Sequence, residues 1–205
     1  DLRFDAIYSG FLGSARQIGV VEEFFYDFRR PHTLTVVDPV MGDHGKVYKT
    51  YTPEMCAGMA RLARLADVIT PNLTEAALLL ELPLGELPSP RETVERLSLD
   101  GKRSVVLTGV SMSPGMTGAM CFDAKTGRAE AVQTDFVAHE FHGTGDVFAS
   151  VLTGALVQGK PLNAAAMLAA KFVLACAERT ALAELPMREG VEFEPLLGYL
   201  TEERQ

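Results

Sequence analysis

The 205-residue chain predicts an α/β protein built around a mostly parallel sheet. Three observations lead there. Short β-like apolar runs alternate with longer runs of helical period. Strands separated by helices imply parallel β-α-β connections with helices covering the sheet. No low-complexity linker or internal repeat interrupts the alternation. With 47% hydrophobic and 22% charged residues there is enough apolar material for one sizeable core, so a single domain over residues 1–205 is expected.

Strands are expected near residues 5–9, 33–38, 66–70, 103–108, 117–123 and 128–134, and helices fill the gaps. The segment SARQIGVVEEFFYDFRR carries apolar residues at helical spacing. In TPEMCAGMARLARLA, Thr52 is the natural N-cap and Pro53 takes the first helical position. SPRETVERL reads as a capping box, Ser89 capping and Glu92 three residues on. The two strands around the turn AKTG read as an antiparallel hairpin at one sheet edge. A helix then starts near Asp146, followed by the long NAAAMLAAKFVLACAERTALAEL and a short tail helix near 194–200. Lys171 and Glu178 mark the solvated stripe of the long helix.

A formal charge of −8 without any Lys/Arg block argues against nucleic acid or an anionic membrane as partner and favours a small molecule. Cys56, Cys121 and Cys176 are scattered, odd in number and without a C-x-x-C pair. They read as reduced thiols of a cytoplasmic protein, not as a disulfide framework or zinc site. No uncharged apolar run approaches the roughly 20 residues of a membrane span. The chain opens on Asp1 and enters a strand-like run within a few residues, so it is expected to start inside a fold.

Ligands of open α/β sheets bind outside the carboxyl ends of the strands. The first predicted strand runs into Ser9-Gly10-Phe11, the second into Asp38 and VMGDHG, the third into Thr70-Pro71-Asn72 with Glu75 following, and the fourth into Thr108-Gly109. One rim of the sheet is therefore expected to hold the chemistry. The Gly143-Thr144-Gly145-Asp146 turn precedes a helix expected to begin at that rim. Its glycines leave the backbone amides uncovered at the positive end of the helix dipole, which suits an anion such as phosphate. Asp146, a carboxylate beside an anion hole, makes sense as acceptor of a proton from an attacking hydroxyl. The competing reading is a plain first-turn aspartate in an ordinary strand-to-helix turn. No P-loop is present, and Phe148 stands where the dinucleotide fingerprint needs its third glycine.

Asp38 and Asp43 bracket a Pro/Gly turn and could hold a hydrated Mg²⁺, or form a solvated acidic loop. Asn72 and Glu75 face the same way at a helix start, where capping competes with ligand binding. Phe11 and Tyr48 are either an aromatic wall for a ring or core filling. Of the histidines, His142 and His44 sit beside these clusters, whereas His32 and His139 read as surface or loop residues.

Taken in order and at these separations, DAIYSGFLGS, VVDPVMGD, ADVITPNLTEAALL, SVVLTG and GTGDVFASVL resemble the pyridoxal kinases of the ribokinase-like superfamily. The likeness covers nearly the whole chain. It implies a three-layer ribokinase-like fold and ATP-dependent phosphorylation of the 5′-hydroxymethyl group of pyridoxal, pyridoxine or pyridoxamine, as in vitamin B6 salvage. It implies Asp146 as general base and Gly143, Thr144 and Gly145 as the anion hole. Asp43 and Glu75 fall around Mg²⁺, and Asp38, Asp43, Tyr48, Thr70, Asn72 and Thr108 match ATP contacts, with Asp38 also near a monovalent cation such as K⁺. Ser9, Phe11 and His142 fall on the substrate side; Phe11 stands where many relatives have Tyr. A cytoplasmic homodimer is implied. Family members carry several dozen earlier residues, including a first strand and a lid, so an N-terminally incomplete chain is expected. Two alternatives remain: a hydroxymethylpyrimidine or phosphomethylpyrimidine kinase of thiamine synthesis, whose relatives often show Cys at the place of Thr144, and a non-catalytic remnant binding nucleotide or vitamin.

Overall fold

The computed structural model describes residues 2–137, 141–183 and 190–202. In chain order the elements are β1 (Ala6–Ser9), α1 (Ala15–Phe28), β2 (Leu34–Val37), β3 (Gly42–Asp43), β4 (Lys46–Val47), α2 (Pro53–Arg64), β5 (Val68–Ile69), α3 (Leu73–Leu79), α4 (Pro90–Leu97), β6 (Ser104–Thr108), β7 (Met116–Asp123), β8 (Arg128–Asp135), α5 (Thr144–Val157), α6 (Leu162–Leu182) and α7 (Tyr199–Glu202). The sheet runs β1-β2-β5-β6-β7-β8, with β1, β2, β5 and β6 parallel and β7 antiparallel to β6. The expected α/β chain with a mostly parallel sheet is what forms, and the AKTG hairpin closes one edge as β7 and β8. The third expected strand is shorter than its apolar run, regular only over Val68–Ile69. The β3–β4 ribbon was not foreseen.

The chain divides into two compact units. The first comprises Asp1–Val110 with Ala119–Ala131, the second Ser111–Gly118 with Val132–Gln205. In the first, α1 buries Ile18 and Phe25, two turns apart on one face, against a core that includes Val37, Met59, Leu62, Ile69 and Val105. Burying each such side chain stabilises by about 1.5–3 kcal/mol. The expected caps form: Thr52 Oγ1 accepts from the Met55 amide at 3.2 Å, and Ser89 Oγ from the Glu92 amide at 3.3 Å. The full reciprocal capping box forms at α3, between Asn72 and Glu75. In the second unit α5 packs on α6, with Phe172, Cys176 and Val191 at the centre of its cluster. Lys171 and Glu178 are exposed, as expected of a solvated stripe. His32 is exposed, and His139 lies outside the described residues.

Candidate active site

Because β1, β2, β5 and β6 are parallel, their carboxyl ends share one edge of the sheet. Hydrogen bonds lace those ends together. The Asp38 amide donates to Ser9 O at 2.8 Å, Thr70 N to Val37 O at 3.2 Å and Thr108 N to Pro71 O at 2.9 Å. The Thr70 hydroxyl donates to Asp38 Oδ1 at 2.9 Å, and both residues are buried. Thr108 Oγ1 reaches Pro71 O only at 3.4 Å, a weak bond that leaves its hydroxyl free to turn. Ser9 is 7% exposed, and its Oγ has no hydrogen-bond partner among the described residues. It borders a cavity of about 340 Å³ with Gly10, Leu12, Val20 and Phe24.

Asn72 and Glu75 do cap a helix. Asn72 Oδ1 accepts from the Glu75 amide at 2.9 Å, and Glu75 Oε2 from the Asn72 amide at 2.8 Å. They do more than cap, however. Asn72 Nδ2 donates to Gly42 O at 2.8 Å and Glu75 Oε1 accepts from the Met41 amide at 3.1 Å, so α3 holds the β3–β4 ribbon in place. Two residues, His44 and Gly45, turn that ribbon with φ of 49° and 72°, the paired positive values of a type I′ turn. A Cβ on Gly42 would stand 2.3 Å from Lys46 O, so this ribbon closes only with glycine there. The Asp-His-Gly triplet was the available signal for the turn. Its brevity hid it, since two-residue strands show no periodicity.

Glu75 is 3% exposed. Burial, with Asp38 and then Asp43 nearby, pushes its carboxyl well above the usual range, while the Asn72 and Met41 amides pull it back. Asp43 is half exposed at the ribbon's tip, where its Oδ1 accepts from the His44 amide at 2.8 Å. Asp38 and Asp43 add to the cost of ionising Glu75, a negative surrounding that a cation relieves. Among the described residues no cluster of three or more His, Cys, Asp or Glu stands ready as a metal cage. Asp43 and Glu75 are the acidic groups of this rim that could hold a Mg²⁺ that keeps its waters and arrives with phosphates.

The second unit carries the other predicted cluster. Gly143 caps α5 with φ +85° and offers no side-chain acceptor to the first-turn amides. A Cβ at either Gly143 or Gly145 would meet nothing within 4 Å among the described residues, which leave the backbone there open. Thr144 Oγ1 approaches Phe141 O at 3.4 Å. His142 is exposed and its carbonyl accepts from the Val191 amide at 3.1 Å, fixing the turn from behind. Asp146 sits in the first turn of α5, is exposed, and borders a cavity of about 360 Å³ whose other described lining residues, among them Val151, Gly154, Leu168 and Phe172, are neutral. The carboxylate is not turned into the core, and no described residue seals the Gly-Thr-Gly backbone.

The aromatic wall differs from expectation. Phe11 is 54% exposed, but the ring beside it is Tyr51, with centroids 6.2 Å apart and planes at 57°. Tyr48 is partly exposed, and its amide donates to Met41 O at 2.9 Å, anchoring the segment after the ribbon. Tyr51 was missed because its sequence neighbourhood reads only as the lead-in to α2.

The profile of the phosphomethylpyrimidine kinase family matches residues 1–190. The chain belongs to that family. Among its relatives, a hydroxymethylpyrimidine/phosphomethylpyrimidine kinase of Haemophilus influenzae is 31% identical over 179 residues, covering 85% of this chain and 65% of that protein. A pyridoxine/pyridoxal/pyridoxamine kinase of Bordetella avium is 33% identical over 194 residues, covering 89% and 64%. A Bacteroides thetaiotaomicron protein provisionally assigned as a phosphomethylpyrimidine kinase, solved with pyridoxal, superposes with a TM-score of 0.90 at 39% identity over 98% of this chain and 72% of the other. The chain thus spans about two thirds of the length of these curated relatives. The expected likeness to pyridoxal kinases is borne out, with pyrimidine kinases at similar distance. No described helix is long and apolar enough to cross a membrane.

Proposed function

We propose that the protein is an ATP-dependent kinase of the 5′-hydroxymethyl group of B6 vitamers, its two units working as one kinase domain. The observation that carries the proposal is the start of α5: uncovered amides at Gly143–Gly145 at a helix mouth, with an exposed carboxylate, Asp146, in the same turn. In the reaction Asp146 takes the proton of the acceptor hydroxyl. The freed oxygen forms a bond to the γ-phosphorus as the bond from that phosphorus to the β–γ bridging oxygen breaks, and ADP leaves. The α5 amides and dipole hold the charge on the transferring phosphoryl group. Asp43 and Glu75 would hold Mg²⁺, which supplies charge neutralisation for the nucleotide phosphates when bound. Asp38, Thr70, Asn72, Tyr48 and Thr108 belong to the nucleotide side in this reading, and Ser9, Phe11 and His142 to the acceptor side.

Thr144, in place of the cysteine frequent in pyrimidine kinases, and the pyridoxal-bound relative at 39% identity favour the vitamer over the pyrimidine. Thiamine-pathway phosphorylation is the second reading, favoured by the family and by the Haemophilus relative. The protein incubated with Mg·ATP and, separately, pyridoxal, pyridoxine, pyridoxamine and hydroxymethylpyrimidine decides between them by the phosphorylated product. Expected is turnover of at least one vitamer with kcat/KM above that for the pyrimidine, and a loss of at least about a hundredfold in kcat on Asp146→Asn with ATP affinity retained. Turnover of the pyrimidine alone overturns the vitamer assignment, and near-normal turnover by Asp146→Asn overturns the base.

A further inference from the structure

We propose that Tyr51 is a positioning residue for the acceptor: it fixes the Phe11 ring and ties it mechanically to the carboxylate ribbon. The inference rests on the kinase reading above, in which Phe11 stands beside the acceptor ring.

A continuous path of contacts supports it. Glu75 Oε1 accepts from the Met41 amide at 3.1 Å, Met41 O accepts from the Tyr48 amide at 2.9 Å, and Tyr48 O accepts from the Tyr51 amide at 2.9 Å. The Tyr51 ring then meets the Phe11 ring at 6.2 Å in a tilted arrangement, the geometry in which aromatic edges and faces attract. Phe11 is half exposed on the irregular segment between β1 and α1, so part of its ring is open to a ligand while the rest leans on Tyr51. Tyr51 itself is 6% exposed and enters the core with Met55 and Met59 from the start of α2. It cannot swing away without opening that core, which makes it a rigid support and Phe11 the movable part it restrains.

The Tyr51 hydroxyl also argues for position over hydrogen bonding. It makes no hydrogen bond of good geometry among the described residues. Burial pushes its pKa up to about 12, offset in part by the Leu12 backbone, with Cys56 and Glu75 adding to the rise. A buried hydroxyl with so little return is a cost, so the ring is what the position needs, and Tyr51→Phe should keep the function.

The test is steady-state kinetics on the protein with Mg·ATP and its best acceptor. Tyr51→Met keeps an apolar, flexible side chain that can fill much of the space without a ring face, and is chosen to preserve folding. It is expected to raise the acceptor KM by about three- to tenfold, the scale of one aromatic contact, with the KM for ATP and kcat within about twofold. Tyr51→Phe is expected to match the parent in all three. In the Phe11→Leu background Tyr51→Met should add nothing further, because both act through one contact. Equal increases in both KM values, or additive effects in the double variant, overturn the proposal. If Tyr51→Met fails to accumulate, Phe11→Ala decides, since its exposed ring is dispensable for folding: an unchanged acceptor KM overturns the proposal. A parent protein that phosphorylates no acceptor overturns the kinase reading instead, and with it the basis of this one.

Discussion

Gly145→Ala separates the two readings of the α5 turn, because folding and catalysis should move in opposite directions. Gly145 is the second residue of α5, its φ is not positive, and an added Cβ would meet no atom of the described residues within 4 Å. Nothing among the described residues therefore requires glycine at this position. Replacing it by alanine in a helix is worth about 0.5–1 kcal/mol of stability. In a chain of this size that raises Tm by about 1–4 °C. If phosphate must approach the amide of this residue, the same methyl group stands in its path. Losing one well-placed donor to a transferring phosphoryl group costs about 2.7–4 kcal/mol, a hundred- to thousandfold in kcat. Gly143→Ala is the control. Its φ of +85° makes any Cβ strained, so it should lose about 1–2 kcal/mol and lower Tm, whatever the ligand does. Differential scanning calorimetry and a coupled ADP-release assay on the same preparations read both quantities. A more stable Gly145→Ala with undiminished turnover refutes the anion-hole argument, since the glycine would then have no purpose in either the folded chain or the reaction.

Glu75→Gln leaves one acceptor oxygen and turns an amide NH₂ toward a backbone N–H, so a loss of about 1–3 kcal/mol is expected in thermal unfolding. If Glu75 also serves Mg²⁺, the KM for Mg·ATP rises at least about tenfold with the acceptor KM little changed; a stability loss with unaltered kinetics would make it a cap alone. Arg103, buried at the opposite edge of the sheet, donates from Nε to Leu97 O at 2.7 Å and from Nη1 to Ala63 O at 2.5 Å, and burial lowers its pKa to about 10. Arg103→Met takes the side-chain donor from both carbonyls, leaving Leu97 O without it while Ala63 O keeps the Ala66 amide at 3.3 Å, and should cost about 1–3 kcal/mol in denaturant unfolding, with KM values unchanged. Altered KM values would place Arg103 in the site.

Much of the candidate site was legible because it is written in local chemistry. Asn72 three residues before Glu75, glycines two apart before an apolar helix, and aspartates after a β-branched run are each enough to set a helix start or a turn. Those features formed where the sequence placed them, as did Thr52 and Ser89 at their caps. The ribbon at residues 42–47 was not legible, since four paired residues carry no period and their register comes from Asn72 and Thr74 some 29–30 residues away. The placement of Phe11 was likewise hidden: nothing in YSGFLG says that its neighbour will be Tyr51.

The sequence by itself determined the alternation of strands and helices, the caps and the order of the chemistry-bearing segments, because hydrophobic period and side-chain capping act within a few residues. Only the tertiary structure decided how each candidate is used. It buried Asp38 and Glu75 among backbone amides and a threonine hydroxyl, left Asp43 and Asp146 exposed, and set Tyr51 behind Phe11. The physical reason is that ionisation cost, ring contact and amide exposure depend on which distant segments arrive at the same strand ends, and spacing along the chain does not encode that distance.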